Sequence, residues 1–347
     1  MNEEILQMKY WYKAIGAGVF TLFSAPLFAQ ECSINVSTWG GNYQRTYESI
    51  IPEFEKLHNC KVNLVIGVSQ DFVVKARAGE VDVMTNTMIH TTAAEQDGLL
   101  LKLDEKLIPN LASLYDNARH SPNIVWANVG DYALVYNSKY VTEEPTTWDV
   151  LWDEKYRNRV GMWSIESQAA ALLAVQQANA HGGSFENIEP GLKRLAELVN
   201  SGNAVAQTDA ESQLVSLFET EEAWLGPLTT GRIKDLWDRG LDHIKIARPK
   251  EGTFPTITAM SIINTTKQPE IAQKFIDFAL GETAQVAFAV NNLYAPTNKN
   301  VKLPDDFKLR GVLVQGEAFD NLLLVDFTEL NKVRGAWQEQ YMRMVNQ

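Results

Sequence analysis

Ile34-Asn35-Val36-Ser37-Thr38-Trp39-Gly40-Gly41-Asn42-Tyr43-Gln44 is a short β-type run, an aromatic, a glycine pair and the opening of a helical pattern. A strand, a glycine loop and a helix in that order form the first turn of an open α/β sheet. Ligands bind at the carboxyl ends of the strands in such sheets. Paired glycines let the backbone approach a ligand with no Cβ in the way. The following helix aims its amides and positive dipole end at the same spot. Trp39, Gly40, Gly41 and Asn42 are therefore candidate ligand contacts, with Trp39 as a flat wall. A plain turn has the same sequence, so the rest of the chain has to decide.

The 347 residues are 45% hydrophobic and 21% charged, a composition and length suited to two globular domains. A net charge of −12 with no basic run argues against a nucleic-acid surface. The run from Ala14 to Phe28 is apolar, uncharged and short for a bilayer. With Ala29 at a small-residue cleavage position it reads as a secretory signal peptide, residues 1–29. An uncleaved anchor is the alternative. Cys32 and Cys60 are the two cysteines, and each precedes a candidate strand. If those strands are parallel neighbours, their starts adjoin and a disulfide fits. An exported chain meets an oxidising compartment in which it can form.

Tyr43, Tyr47, Ile50, Phe54 and Leu57 recur at helical spacing, and Pro52 inside the pattern predicts a kink or break. Val62 to Ile66 reads as a strand, 70–78 as a helix, and Val81 to Met84 as a strand with Asn86-Thr87-Met88 in its exit loop. This alternation predicts a doubly wound, mostly parallel sheet. A strand begins at Asp131. A second α/β unit follows from Arg159, with Ser167 a candidate N-cap and Glu166 and Asp209 at strand-to-helix junctions. Thr208 or Asp209 caps the next helix, and Trp224 precedes Gly226-Pro227. Thr256 to Ile263 reads as β, Pro269 to Leu280 as an amphipathic helix, and Leu322 to Met344 as a terminal helix. Two α/β units joined by crossings near 131, 254 and 299 place a ligand between lobes.

Catalytic and metal signatures are missing from the sequence. The five histidines have no metal-ligand spacing, and there is no G-x-S-x-G, Walker A or full G-x-G-x-x-G. Glu166 is the best candidate base. Nine tryptophans allow an aromatic box, with Trp39 and Trp224 at loop boundaries.

The order of motifs resembles the periplasmic solute-binding proteins of ABC importers, in particular the spermidine/putrescine-binding-like family. The carrying stretches are Thr38 to Tyr43; Val81 to Met84 with Gly98 to Asp104; Val135-Tyr136-Asn137-Ser138 with Glu144 to Trp152; Pro249-Lys250-Glu251-Gly252; and Ala272 to Ile276 with Tyr294 to Asn298. The resemblance covers essentially the whole chain beyond the leader. The resemblance implies a two-lobed type II periplasmic-binding-protein fold, α/β, each lobe a mostly parallel sheet flanked by helices. Lobe 1 would comprise 30–130 with 254–298, and lobe 2 would comprise 131–253 with 299–347. It implies ligand capture by hinge closure, delivery to a membrane permease, a periplasmic monomer, no cofactor and no catalysis.

It also implies contacts at Trp39, Gly40 and Asn86-Thr87-Met88 in the first lobe, and at Glu166, Asp209 and Trp224 in the second. Polyamine binders place an aromatic and an Asp on the strand after the Pro-Lys-Glu-Gly turn; here Thr256 and Thr258 take those places. A hydroxyl cannot pair with an ammonium as a carboxylate does. The expected solute is therefore a small nitrogenous compound, polyamine-like or a smaller cationic or zwitterionic molecule. An anionic, opine- or phosphonate-type solute and a secreted enzyme with an inter-lobe active site are the alternatives. The chain lacks the tyrosine pair of iron-binding relatives.

Overall fold

The computed structural model describes residues 32–305 and 324–345. The apolar run 14–28 and the cleavage position at Ala29 lie outside the described residues. No helix among the described residues is long and apolar enough to cross a membrane.

Strand β1 (Ser33–Thr38) pairs in parallel with β2 (Lys61–Ile66) and with β3 (Val83–Thr87). In the β1–β2 register Ser33 faces Lys61, so Cys32 and Cys60 sit side by side at the strand starts. They form a disulfide with the Cα atoms 4.6 Å apart. Helix α1 (Asn42–His58) runs unbroken through Pro52. The expected break is overridden by tertiary packing. Tyr43, Tyr47 and Phe54 are buried and meet Phe275 and Phe288 at ring distances of 4.6–6.0 Å. Burying each such ring stabilises by about 1.5–3 kcal/mol, which outweighs one proline in a helix. Pro52 and Glu48 face solvent, so water can satisfy the carbonyl that the proline leaves without a donor.

Helices α2 (Ser69–Arg77) and α3 (Met88–Gln96) complete the first unit, and β4 (Leu100–Leu101) adds to its sheet. Strand β3 continues to Thr87 and α3 starts at Met88, so the expected loop 85–88 does not exist. Asn86 and Met88 are consequently buried.

Strand β5 (Val125–Asn137) is six residues longer than its sequence pattern suggests, and every residue in it is buried. Covered on both faces, it has no need of polar alternation. Beyond it come β6 (Val160–Trp163), α4 (Gln168–Ala180), α5 (Glu189–Asn200), β7 (Ala204–Thr208), α6 (Glu211–Glu219), β8 (Leu225–Thr229), α7 (Thr230–Asp238) and β9 (Ile244–Ala247). The chain then returns through β10 (Phe254–Ile263), α8 (Pro269–Leu280), α9 (Glu282–Asn292) and β11 (Ala295–Pro296), and α10 (Phe327–Val345) follows. Strand order is β2-β1-β3-β10-β5-β8-β6-β7.

Along β5 the partners change. Val129 faces Ala295 of β11 and Tyr132 faces Thr229 of β8. On the other edge Tyr132 faces Phe254 of β10, and Leu134 faces Ala247 of β9. The strand passes from one half of the sheet to the other at residues 130–134. Gly130 is required there, because a Cβ would lie 2.4 Å from the Tyr294 ring. Helix α10 packs against both α3 and α5; Asn331 Nδ2 donates to the Ile89 carbonyl at 2.7 Å, and Tyr341 donates to Gln207 Oε1 at 2.8 Å.

Gly191 of α5 lies against α4, where a Cβ would sit 1.9 Å from the Ala174 carbonyl oxygen. Gly191→Ala is expected to destabilise by about 1–3 kcal/mol through overpacking, although alanine favours a helix by about 1 kcal/mol. Urea denaturation measures this, and a variant as stable as wild type would contradict the close α4–α5 contact.

Candidate functional site

The carboxyl ends of β1, β3, β6, β7 and β8 open on one cavity of about 560 Å³. Residues at the starts of α1, α2, α4, α6 and α7 line it. That convergence follows from parallel strands, each of which delivers its next helix start to the same edge of the sheet.

Its walls are aromatic. Trp39 stands edge-on to Tyr43, with centroids 5.2 Å apart, and donates from Nε1 to Ser69 Oγ at 3.0 Å. Tyr132 stands edge-on to Trp163 at 5.9 Å, and Trp163 Nε1 donates to the Pro227 carbonyl at 3.0 Å. Burial pushes the phenols of Tyr43, Tyr132 and Tyr294 well above their ordinary pKa, so they are neutral hydroxyls. Asn128 Nδ2 donates to the Tyr43 hydroxyl at 3.0 Å.

The charges fall into two sets. Arg232 Nε donates to Glu211 Oε2 at 3.1 Å, and its Nη1 donates to the Gly40 carbonyl at 3.1 Å. Burial works against the Arg232 charge; the Glu211 and Asp235 carboxylates overcome it and raise its pKa. Gly41 makes room for this contact: its φ is +75°, and a Cβ would fall 2.1 Å from Arg232 Nη1. Asp235 meets Arg45 of α1 at 2.5 Å and Arg239 at 3.1 Å. Glu219 pairs with Arg239. Glu166 and Asp209 form the second set. Both are exposed, and neither makes a hydrogen bond or ion pair among the described residues. Capping engages neither. Ser167 Oγ caps α4 by accepting from Ala170 N at 3.1 Å. Helix α6 has Ala210 at its N-cap and no side-chain cap, so the cap expected at Thr208 or Asp209 is not formed, and Thr208 Oγ1 instead accepts from Ala210 N at 3.0 Å.

Of the residues expected from sequence, Trp39, Gly40, Gly41, Asn42, Thr87, Glu166, Asp209, Thr256 and Thr258 line this cavity. Asn86, Met88 and Trp224 do not. Asn86 is spent on the local chain, with Nδ2 donating to the Ser69 carbonyl at 3.0 Å and Oδ1 accepting from Thr87 N at 2.8 Å. Met88 is core. Trp224 precedes β8, whose far end, Thr229, reaches the cavity; five residues of strand put them about 16 Å apart. Its ring instead stacks on Tyr140 at 4.3 Å and under Arg159 at 4.7 Å. Tyr43, His90, Tyr132, Trp163, Gln168, Arg232 and Tyr294 line the cavity without having been singled out as contacts. For Gln168 and Arg232 the available signal is position, in the first turn of a helix that follows a strand exit.

His90 lines the same cavity, with Nδ1 2.9 Å from Thr87 Oγ1. Burial, aided by the Arg334 cation, lowers its pKa from 6.5 to about 4. The unfolded chain therefore binds more protons than the folded one between those values, and stability falls as pH drops from 6.5 towards 4. His90→Gln is expected to remove on the order of 2 kcal/mol of that acid loss. Urea midpoints at pH 7 and pH 4.5 measure it; equal acid sensitivity in both proteins would exclude His90 as its source.

A family model described as a bacterial extracellular solute-binding protein matches residues 49–311. The iron uptake protein A1 of Synechocystis sp. is 23% identical over 295 residues, 79% of this chain and 80% of that one. A Salmonella typhimurium protein carrying the name 2-aminoethylphosphonate-binding periplasmic protein is 25% identical, over 83% of this chain and 85% of its own. The spermidine/putrescine ABC transporter substrate-binding protein of Streptococcus pneumoniae superposes with a TM-score of 0.72 at 18% identity, covering 90% of this chain and 98% of that one.

Proposed function

This chain belongs to the bacterial extracellular solute-binding protein family, and from that premise we propose that it captures a small cationic or zwitterionic nitrogenous solute in the cavity and hands it to an ABC importer permease. It acts by binding, without catalysis, as a periplasmic monomer released by cleavage after Ala29. The lobes divide as 30–130 with 254–298 and 131–253 with 299–347. The β5 and β10 crossings serve as the hinge.

One observation carries this reading. Glu166 and Asp209 are the two lining carboxylates without a cationic partner among the described residues, while Glu211, Glu219 and Asp235 are each engaged by arginine. Two free carboxylates beside Trp39 and Trp163 suit an ammonium or other organic cation. A cavity of about 560 Å³ suits a small organic molecule. Solutes named for relatives fit that frame, 2-aminoethylphosphonate and the polyamines among them. A ferric ion finds less support, because no group of three or more His, Cys, Asp or Glu among the described residues is placed to hold a metal ion. The Arg232–Gly40 and Arg45–Asp235 contacts support closure as the bound form, since each joins the first α/β unit to the second.

A thermal-shift panel of amines, amino acids, aminophosphonates and plain anions identifies the solute class, because a bound solute raises the midpoint. For the best amine, the double variant Glu166→Gln/Asp209→Asn is expected to weaken binding at least tenfold, about 1.4 kcal/mol. Trp39→Ala should do the same, while Trp224→Ala should leave affinity within twofold. A panel whose hits are all plain anions, or a double variant that binds the amine as wild type does, would overturn the proposal.

A further inference from the structure

Gln168 opens α4 and lines the cavity, yet it is only 5% exposed. Its Oε1 accepts from the backbone N–H of Ile89, in the first turn of α3, at 3.2 Å. An N–H can only donate, so the atom facing Ile89 is the oxygen and the other is the NH₂. That Nε2 is buried and has no hydrogen-bond partner among the described residues. Asn42, opening α1 on the other unit, is similar: it accepts from Arg45 and leaves its buried Nδ2 without a partner. Gln168 is the more informative of the two. It stands two residues from Glu166, at a helix start whose dipole favours negative charge.

We propose that Gln168 Nε2 donates to an oxygen of the solute, so that the solute is an amino acid in the broad sense: a short chain with an ammonium at one end and a carboxylate, phosphonate or similar oxygen acid at the other. This rests on the cationic-solute reading above and narrows it. An ammonium has three donors and no acceptor. Placed against the Gln168 amide, the second nitrogen of a diamine leaves both groups unsatisfied. A site built around a donor rejects a ligand lacking the acceptor far more strongly than an apolar wall rejects a change of size. Glu166 and Asp209 take the cation, and Gln168 with the start of α4 takes the oxygen end. The same amide ties α3 to α4 through Ile89, so the residue that reads the solute also makes a contact between the two units.

Calorimetric titration of the chain lacking residues 1–29 at pH 7, with matched pairs, tests this. The central pair is 4-aminobutanoate and 1,4-diaminobutane, flanked by homologues of three to six carbons. Wild type is expected to bind the best amino acid at least tenfold more tightly than the matched diamine. Gln168→Glu keeps an oxygen for Ile89 N–H but replaces the donor with a second acceptor. It should lose at least tenfold for the amino acid and none for the diamine. Gln168→Met removes the donor without adding charge and should abolish the preference; unliganded melting curves establish that both variants fold. Equal or tighter diamine binding by wild type, or an equal loss of both ligands in Gln168→Glu, overturns the assignment. If Glu166→Gln/Asp209→Asn still weakens both ligands in that case, the cationic-solute reading survives alone. If neither series binds at all, both fall together.

Discussion

The antiparallel contact between β5 and β10 is the constraint on which the rest of the structure depends. Every residue of both strands is buried, so every backbone N–H and C=O in them needs a protein partner. One set of neighbours cannot meet that demand along the 13 residues of β5. The first half takes β10 and β11, and the second takes β8 and β9. A single sheet order therefore runs through two α/β units, and the strand ends of both units face one cavity. Thr256 and Thr258 line that cavity because β10 crosses beneath it. Gly130 keeps the crossing thin enough for Tyr294 to lie against it.

Charge is organised around that cavity on two scales. Arg232 and Asp235 are surrounded by opposite charge and by the Gly40 carbonyl, so they are spent on joining elements of the protein. Removing one partner from such a buried set leaves an uncompensated charge, which costs more than an exposed ion pair is worth. Glu166 and Asp209 are held at the same strand-end level without counter-charges among the described residues. The neutral tyrosines add polar edges without adding charge. The cavity's negative poles, aromatic walls and buried amide donors are the features on which the proposed solute, cationic at one end and oxygen-rich at the other, rests.

Much of the frame was legible in the chain. The α/β alternation and Ser167 as a cap depend on neighbours in sequence or on short-range periodicity, and the Cys32–Cys60 pair follows once β1 and β2 are parallel neighbours. The errors share one origin. Pro52 predicts a kink or break in α1, but the helix is continuous because the Tyr43–Tyr47–Phe54 face is anchored by Phe275 and Phe288, more than two hundred residues away. The sequence pattern starts β5 at Asp131, six residues late, because burial on both faces makes the pattern before it uninformative. Trp224 lies at a loop boundary, as Trp39 does. It stands at the entrance of its strand rather than the exit, and its ring is claimed by Tyr140 and Arg159.

The sequence by itself determined the local grammar: which segments are strands and helices, that they alternate, and that Trp39, Glu166 and Asp209 stand at strand exits. These follow from periodicity, capping chemistry and glycine placement, all of which act over a few residues. Only the tertiary structure decided how each side chain is used. Gly40-Gly41 looked like a ligand floor, yet the Gly40 carbonyl accepts from Arg232, and Gly41 is small because that guanidinium passes over it. Whether a carboxylate is free or paired, and whether an amide such as that of Gln168 keeps an unused donor, depends on groups brought together from distant parts of the chain. Coulombic attraction and hydrogen bonding act over a few ångströms in space, and sequence separation does not encode that distance.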